Sequence, residues 1–124
     1  MEALIYKKTE DTPAIHLDKA AGIFEFSGKS LPEDVTVFYN PILAWLDEYA
    51  SSPNNPTVVK MKMDYFNTAS SKLILDILMK LEEIQEEHSC VKIEWYFKED
   101  DEDMEEAGEE FSDIVEIPFE IKSY

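Results

Sequence analysis

The stretch from Thr57 to Ile84 constrains the fold more than any other, because two different periodicities meet within it. Residues Thr57 to Met63 alternate, with Val59 and Met61 in one register, which is the pattern of a strand with one buried face. Beyond residue 72, apolar residues recur at the spacing of an amphipathic helix: Leu73, Ile74, Ile77, Leu78, Leu81 and Ile84. The stretch therefore predicts a strand, a short turn and a long helix.

The turn between this strand and this helix carries the polar residues that a helix N-terminus needs. Asn67 and Thr68 stand where an N-cap oxygen accepts a free backbone N–H of the first turn. The same N–H groups and the helix dipole attract anions, so the Thr68 hydroxyl is also a candidate phosphoacceptor. Spacing alone leaves two interpretations open: Thr68 is an ordinary cap in a structural or interaction subunit, or it is a phosphorylation site.

Length and charge limit the classes of function open to the chain. Its 124 residues, 44% of them hydrophobic, predict one folded domain over residues 1–124. A formal net charge of −17 disfavours nucleic acid and anionic membranes as partners, since both bind basic surfaces. We expect a soluble acidic protein that binds another protein.

Cysteine use and hydropathy predict a cytoplasmic location. The single Cys90 excludes an internal disulfide, which suits a reducing compartment, and its apolar neighbours predict that it is buried. The N-terminus lacks the apolar run of a signal peptide, and no window approaches the ~18 apolar residues of a membrane span.

Three short strands and a helix are predicted ahead of the central strand. The strands are Leu4–Tyr6, Ala14–Asp18 and Ile23–Ser27. The helix is predicted to open over Leu31–Asp34, and its apolar stripe continues past Pro41. Pro41 either kinks one continuous helix or begins a second helix capped by Asn40, and the unbroken stripe favours the kink.

A second long strand with one polar face is predicted after the central helix. In Val91–Phe97, charged and apolar residues alternate. If this strand pairs with the central one, Lys60, Lys62 and Lys92 share a sheet face that the helices leave open. That face is either a basic contact surface or simply a solvated face with local ion pairs.

The acidic run that follows predicts a solvated loop and a short helix. Residues 99–110 contain nine acids in twelve positions, but their spacing does not match a calcium-binding loop. The helix is predicted over Asp103–Ile114, and Val115–Tyr124 is predicted to close the domain as a last strand. This order of elements predicts the α/β class: a single-domain mixed β-sheet with helices mainly on one face.

No motif for catalysis, a cofactor or a metal appears in the sequence. The chain has three glycines and lacks a Gly-rich phosphate loop or Cys/His ligand spacing. We therefore expect no cofactor, no metal and no enzyme activity. A small acidic hydrolase that uses paired carboxylates is the alternative from another class, although carboxylate pairs such as Glu82 and Glu83 lie at the polar end of a helix and need no catalytic explanation.

Three segments of the sequence resemble the SiaC-type family of bacterial regulatory phosphoproteins. They are Tyr65–Lys72 with its long helix, Phe38–Leu46, and Asp100–Met104 ahead of Glu106–Glu109. The family is similar to STAS-domain anti-sigma-factor antagonists, in which the phosphorylated residue begins the helix after a central strand. The resemblance implies a STAS-like fold with Thr68 as the phosphoacceptor. It also implies a partner-binding surface made of Tyr65, Phe66, Asn67, Ala69, Ser70, Ser71 and Lys72.

The resemblance also implies a partner-switching circuit. In this circuit, the unphosphorylated form binds and controls an output protein. The resemblance implies that the output protein is a diguanylate cyclase, and hence that the circuit controls cyclic-di-GMP and biofilm growth. A serine/threonine kinase related to anti-sigma factors adds the phosphate at Thr68, and a PP2C-type phosphatase removes it. Tyr65 and Phe66, beside the switch, are expected either to anchor the partner or to pack inside the domain.

Overall fold

The computed structural model describes residues 1–124 and contains one six-stranded sheet crossed by three helices. The elements follow the chain as β1 Leu4–Tyr6, β2 Ala14–Asp18, β3 Ile23–Ser30, α1 Val35–Tyr49, β4 Thr57–Phe66, α2 Thr68–His88, β5 Val91–Phe97, α3 Glu102–Ile114 and β6 Phe119–Ser123. The strands lie in the sheet in the order of the sequence, from β1 to β6. The predicted mixed α/β sheet is confirmed.

The sheet is antiparallel at its N-terminal side and parallel over the rest. β1, β2 and β3 form antiparallel pairs, whereas β3, β4, β5 and β6 are parallel neighbours joined through one helix each. Crossovers between parallel strands are right-handed. When successive crossovers also move across the sheet in the same direction, their helices all lie on the same face. The helices therefore cover one face, as the sequence predicts.

Burial along the strands follows this one-sided cover. In β4, Val59, Met61 and Met63 are buried, while the residues between them are half-exposed. The same alternation holds in β5, where Trp95 is fully buried. The strands and helices share one core of 26 buried residues, which includes Cys90 as predicted.

Helix α1 corrects one prediction and confirms another. It begins at Val35, so the predicted opening over Leu31–Asp34 is wrong: Asp34 is the N-cap, and its carboxylate accepts the Val37 N–H at 3.1 Å. Leu31 instead continues from β3, and its N–H donates to the Asp11 carbonyl. Pro41 lies inside a single helix, so the interpretation with one continuous helix is correct and the two-helix alternative is wrong.

Several element ends also differ from their predicted positions. β3 continues to Ser30 and β4 continues to Phe66, because the two strands pair with each other as far as these residues. Sequence periodicity does not show which strands pair, so it could not predict these ends. The last strand covers only Phe119–Ser123, shorter than the predicted 115–124, because Val115 and Ile117 are buried in the segment that links α3 to it.

Helix α3 is fixed to the sheet by contact between Gly108 and Trp95. The Trp95 indole N–H donates to the Met104 carbonyl at 3.0 Å, and the ring lies directly beneath Gly108. A Cβ at position 108 would lie 2.5 Å from Trp95 Cδ1. Only glycine lets the helix approach this closely.

We therefore predict that Gly108→Ala destabilises the domain. Overpacking a core typically costs about 1–3 kcal/mol, and a Cβ 2.5 Å from a rigid, buried indole ring belongs to the upper part of that range, about 2–3 kcal/mol. The gain in helix propensity is only about 1 kcal/mol. Urea unfolding should give a net loss of about 1–2 kcal/mol, whereas the exposed control Glu109→Ala should stay within about 0.5 kcal/mol of wild type. A Gly108→Ala protein as stable as wild type would contradict this account of α3 packing.

Candidate functional site

The site begins at Asn67, the one residue between β4 and α2. Its side-chain oxygen accepts the Ser70 N–H at 2.8 Å, and its carbonyl accepts the Ser71 N–H at 2.9 Å. Asn67 is therefore the N-cap of α2. The interpretation of Thr68 as the cap is wrong, because Thr68 is already the first residue of the helix.

Thr68 lies at the helix N-terminus with its side chain exposed. Its hydroxyl takes part in no hydrogen bond, unlike the inward-facing hydroxyl of Ser70. The free N–H groups of the first turn lie next to it and favour negative charge. The position is thus open to modification and electrostatically suited to a phosphate.

Ser70, two residues further on, is completely buried and fully hydrogen-bonded. Its hydroxyl donates to the Ser30 carbonyl at 3.0 Å and accepts from the Ser30 hydroxyl at 2.8 Å. The Tyr39 hydroxyl lies 2.6 Å from the Ser30 hydroxyl and completes the chain of bonds. Burial raises the pKa of Tyr39, and its hydrogen bond with Ser30 only partly offsets this. Ser70 therefore belongs to a structural network beneath Thr68 and is not on the surface predicted to bind the partner.

A register irregularity in β4 separates the two predicted anchor residues. Met63 pairs with Gly28 and Tyr65 with Lys29, so Asp64 is an extra residue without a partner on β3. After this bulge, Phe66 turns toward the helices, where its ring meets Trp95 and Phe111 at centroid distances of 6.3 Å and 6.2 Å. Tyr65 is 52% exposed. Tyr65 is thus available to a partner, whereas Phe66 is half-buried packing.

A groove runs beside Thr68, between the first two turns of α2 and the facing side of α3. We name it the α2–α3 groove; its volume is about 380 Å³. It is lined by Phe66, Thr68, Ser71, Lys72, Leu75, Ala107, Glu110, Phe111 and Ile114. Of the predicted surface, Phe66, Thr68, Ser71 and Lys72 are brought together here, while Ala69 is exposed outside the groove lining.

The wall that α3 contributes to this groove was not predicted from the sequence. Ala107, Phe111 and Ile114 recur at intervals of four and three residues, and this helical stripe is the signal that identifies the face. Without the fold, nothing in the sequence indicates that this face lies opposite Thr68. Ile114 is 56% exposed at the groove, although it is a large apolar residue.

The open face of the sheet carries the three lysines predicted there, but it is not a basic patch. Lys92 pairs with Glu120 at 2.7 Å, and Lys62 lies 4.8 Å from the centroid of the Tyr96 ring. Glu94 stands opposite Lys60 in the strand register. Carboxylates therefore alternate with the lysines, which agrees with the simpler prediction of a solvated face with local ion pairs.

Hydrogen bonds and ion pairs also shift the pKa values of residues on this open face. Burial tends to raise the pKa of Glu94, but hydrogen bonds from Tyr96 and Lys122 outweigh it and hold the pKa below its usual range. The hydrogen bond that Lys92 donates to Glu120 raises the pKa of Lys92. These shifts belong to a structural network remote from the groove.

The carboxylates of Glu82 and Glu83 have structural partners, which agrees with the interpretation that they need no catalytic explanation. Glu82 accepts the Glu116 N–H at 2.6 Å, and Glu83 pairs with Lys80 at 3.1 Å. No three His, Cys, Asp or Glu side chains come close enough together to hold a metal ion. No helix combines the length and the apolar character required to cross a membrane.

Comparison with known proteins gives one consistent result. A family model described as "SiaC family regulatory phosphoprotein" matches residues 6–124. An uncharacterized protein of Pseudomonas aeruginosa (strain UCBPP-PA14) is 30% identical over 116 residues, covering 94% of this chain and 92% of that protein.

Solved structures agree with the sequence match. SiaC of Pseudomonas aeruginosa is 29% identical, with a TM-score of 0.91 and full coverage of both chains. A structure described as the diguanylate cyclase SiaD in complex with its activator SiaC, from the same bacterium, matches at 30% identity and a TM-score of 0.91, covering 98% of this chain and 99% of the other. The family resemblance drawn from Tyr65–Lys72 is confirmed.

The capping geometry leads to a test at two adjacent positions. Asn67→Ala should lower the free energy of unfolding by about 0.5–2 kcal/mol, because the Ser70 N–H loses its acceptor. Thr68→Ala should change it by less than about 0.5 kcal/mol, since the exposed hydroxyl has no partner to lose. Both values come from urea unfolding of the purified variants. The reverse order of the two losses would show that Thr68 is the structural residue.

Proposed function

This chain belongs to the SiaC family of regulatory phosphoproteins, and we propose that it is a partner-switching regulator whose switch is Thr68. The observation that carries the proposal is the exposed, unbonded Thr68 hydroxyl at the start of α2, beside an apolar groove. In the unphosphorylated state the protein binds and controls an output protein. Phosphorylation of Thr68 ends that interaction.

The output protein is a diguanylate cyclase, and the protein thereby controls cyclic-di-GMP and biofilm growth. This part of the proposal is supported by the likeness to SiaC, which is described as the activator of the diguanylate cyclase SiaD. A serine/threonine kinase related to anti-sigma factors adds the phosphate, and a PP2C-type phosphatase removes it. The protein itself acts in the cytoplasm as substrate and binding partner, not as an enzyme.

The location of Thr68 explains how the protein can accept a phosphate without unfolding. A phosphate adds about −1.5 to −2 charges, and a helix N-terminus is a favourable place for that charge. Lys72 lies four residues further along α2, on the same side of the helix, and forms no ion pair in the unmodified protein. It is therefore free to pair with the phosphate.

The same phosphate makes the groove unsuitable for a partner. Thr68 and Lys72 both line the groove, so a hydrated phosphate paired with Lys72 occupies space in the groove that a partner's side chain would need. A partner could then bind only if the charged phosphate lost its hydration water, and this desolvation costs free energy. The switch thus acts locally, at contact range, and needs no rearrangement of the sheet.

We predict that the kinase modifies Thr68 alone among the hydroxyl residues of this turn. Ser70 is fully buried, so its modification requires α2 to leave the sheet, and Ser71 is half-buried in the groove. The purified protein is incubated with its kinase and ATP, and the modified peptide is mapped by mass spectrometry. A Thr68→Ala variant that still takes up a full phosphate would overturn the assignment.

Binding should follow the state of Thr68. The chain is titrated against SiaD of Pseudomonas aeruginosa and against the diguanylate cyclases of its own bacterium, at one fixed salt concentration. Unmodified protein and Thr68→Ala should bind one of these cyclases equally well, while phosphorylated protein should bind about tenfold or more weakly, equivalent to about 1.4 kcal/mol. Thr68→Asp should lie between them, since it carries one charge and fewer oxygens.

Equal affinity of all four proteins for the cyclase would remove Thr68 as the switch. Absence of binding by the unmodified protein would remove a cyclase as the output. Amide hydrogen exchange of the phosphorylated and unmodified protein, without the cyclase, tests whether the effect is local. Changes spread through β5 and β6 would contradict a local mechanism.

A further inference from the structure

We propose that the α2–α3 groove receives an apolar side chain of the output protein, flanked by a lysine or arginine that faces Glu110. The inference rests on the proposed function, because it takes the output protein to be a diguanylate cyclase that binds beside Thr68. It goes beyond that function by assigning half of the binding surface to α3. It also specifies the chemistry of the partner.

The lining of the groove matches an apolar side chain. Five of its nine lining residues are apolar, and they come from three different elements: Phe66, Leu75, Ala107, Phe111 and Ile114. Phe111 and Phe66 close the floor with rings 6.2 Å apart. Ile114 is 56% exposed, so its apolar surface remains in contact with water in the isolated chain. An apolar anchor from another protein would cover that surface and displace water from it.

The charge around the groove determines what must flank that anchor. Helix α3 carries seven acids in 13 residues and no basic residue. Glu110 lines the groove and has no ion pair, and Lys72 is the only basic residue in the lining. A cation beside the anchor therefore meets uncompensated negative charge on the α3 side.

The same charge argues against a second copy of this chain as the occupant. Two copies would bring together formal net charges of −17 each. Because like charges repel most strongly at contact range, self-association through this acidic wall is disfavoured. The complementary partner is a different protein with a locally basic surface.

The test compares groove variants with matched controls outside the groove. Glu110→Lys reverses the charge on the lining, and Glu109→Lys makes the same change on the adjacent exposed residue of the same helix. Ile114→Ala removes the exposed apolar residue, and Met79→Ala makes a similar truncation on α2, where Met79 is 48% exposed and does not line the groove. All four changes lie on exposed side chains, so circular dichroism should confirm that each variant is folded.

Affinity is measured for the diguanylate cyclase that binds the wild-type chain, at about 50 mM and 200 mM salt. Glu110→Lys and Ile114→Ala should each weaken binding about fivefold or more, whereas Glu109→Lys and Met79→Ala should change it less than about twofold. The loss caused by Glu110→Lys should shrink at the higher salt concentration, because screening weakens the interaction that it removes. The loss caused by Ile114→Ala should not.

This experiment distinguishes failure of the groove inference from failure of the proposed function. If wild-type protein binds the cyclase and responds to phosphorylation, but groove and control variants bind alike, the groove inference is overturned and the proposed function stands. If wild-type protein binds no cyclase, both are overturned. Tighter binding by Glu110→Lys would contradict the basic character assigned to the partner while leaving the apolar anchor in place.

Discussion

The main-chain carbonyl of Ser30 is the contact on which the geometry of the β4–α2 turn depends. It accepts the Asn67 N–H at 3.2 Å and the Ser70 hydroxyl at 3.0 Å, so one atom at the end of β3 holds both sides of the β4–α2 turn. The Ser30 and Tyr39 hydroxyls satisfy the remaining polar groups, and none of the three side chains is left unpaired. Buried polar groups satisfied in this way specify one arrangement, because any displacement leaves a donor or acceptor without a partner. Thr68 is therefore exposed on a rigid base.

Two small irregularities form the α2–α3 groove beside that base. The extra residue Asp64 redirects Phe66 toward the helices, and the absent side chain of Gly108 lets α3 approach Trp95. Together they bring an aromatic ring from β4 and an apolar stripe from α3 to the same groove. Regular alternation in β4 would have turned Phe66 to the open face and left the groove without its floor. The proposed binding surface thus lies where the fold departs from its regular pattern.

Much of the architecture could be predicted because it depends on local periodicity. The strand at Val91–Phe97 and the helix after Asn67 follow from alternation and helical spacing, and the one-sided cover of the sheet follows from the polar register of both long strands. The bulge at Asp64 could not be predicted, since it appears only when two strands are paired. The capping role was assigned to two adjacent residues, because either side chain can accept the required N–H. The α3 wall was missed for a related reason: a stripe on a short helix predicts that one face is buried, but not which surface lies opposite.

The strand order has a further consequence for how the molecule is assembled during synthesis. Since each strand pairs with its neighbour in the sequence, the sheet can lengthen one strand at a time as the chain leaves the ribosome. Ser30, Tyr39, Asn67 and Ser70 all precede β5, so the elements that hold the β4–α2 turn are synthesised first. The α3 wall follows in the last quarter of the chain. A nascent chain can thus present the Thr68 hydroxyl before the α2–α3 groove beside it is complete.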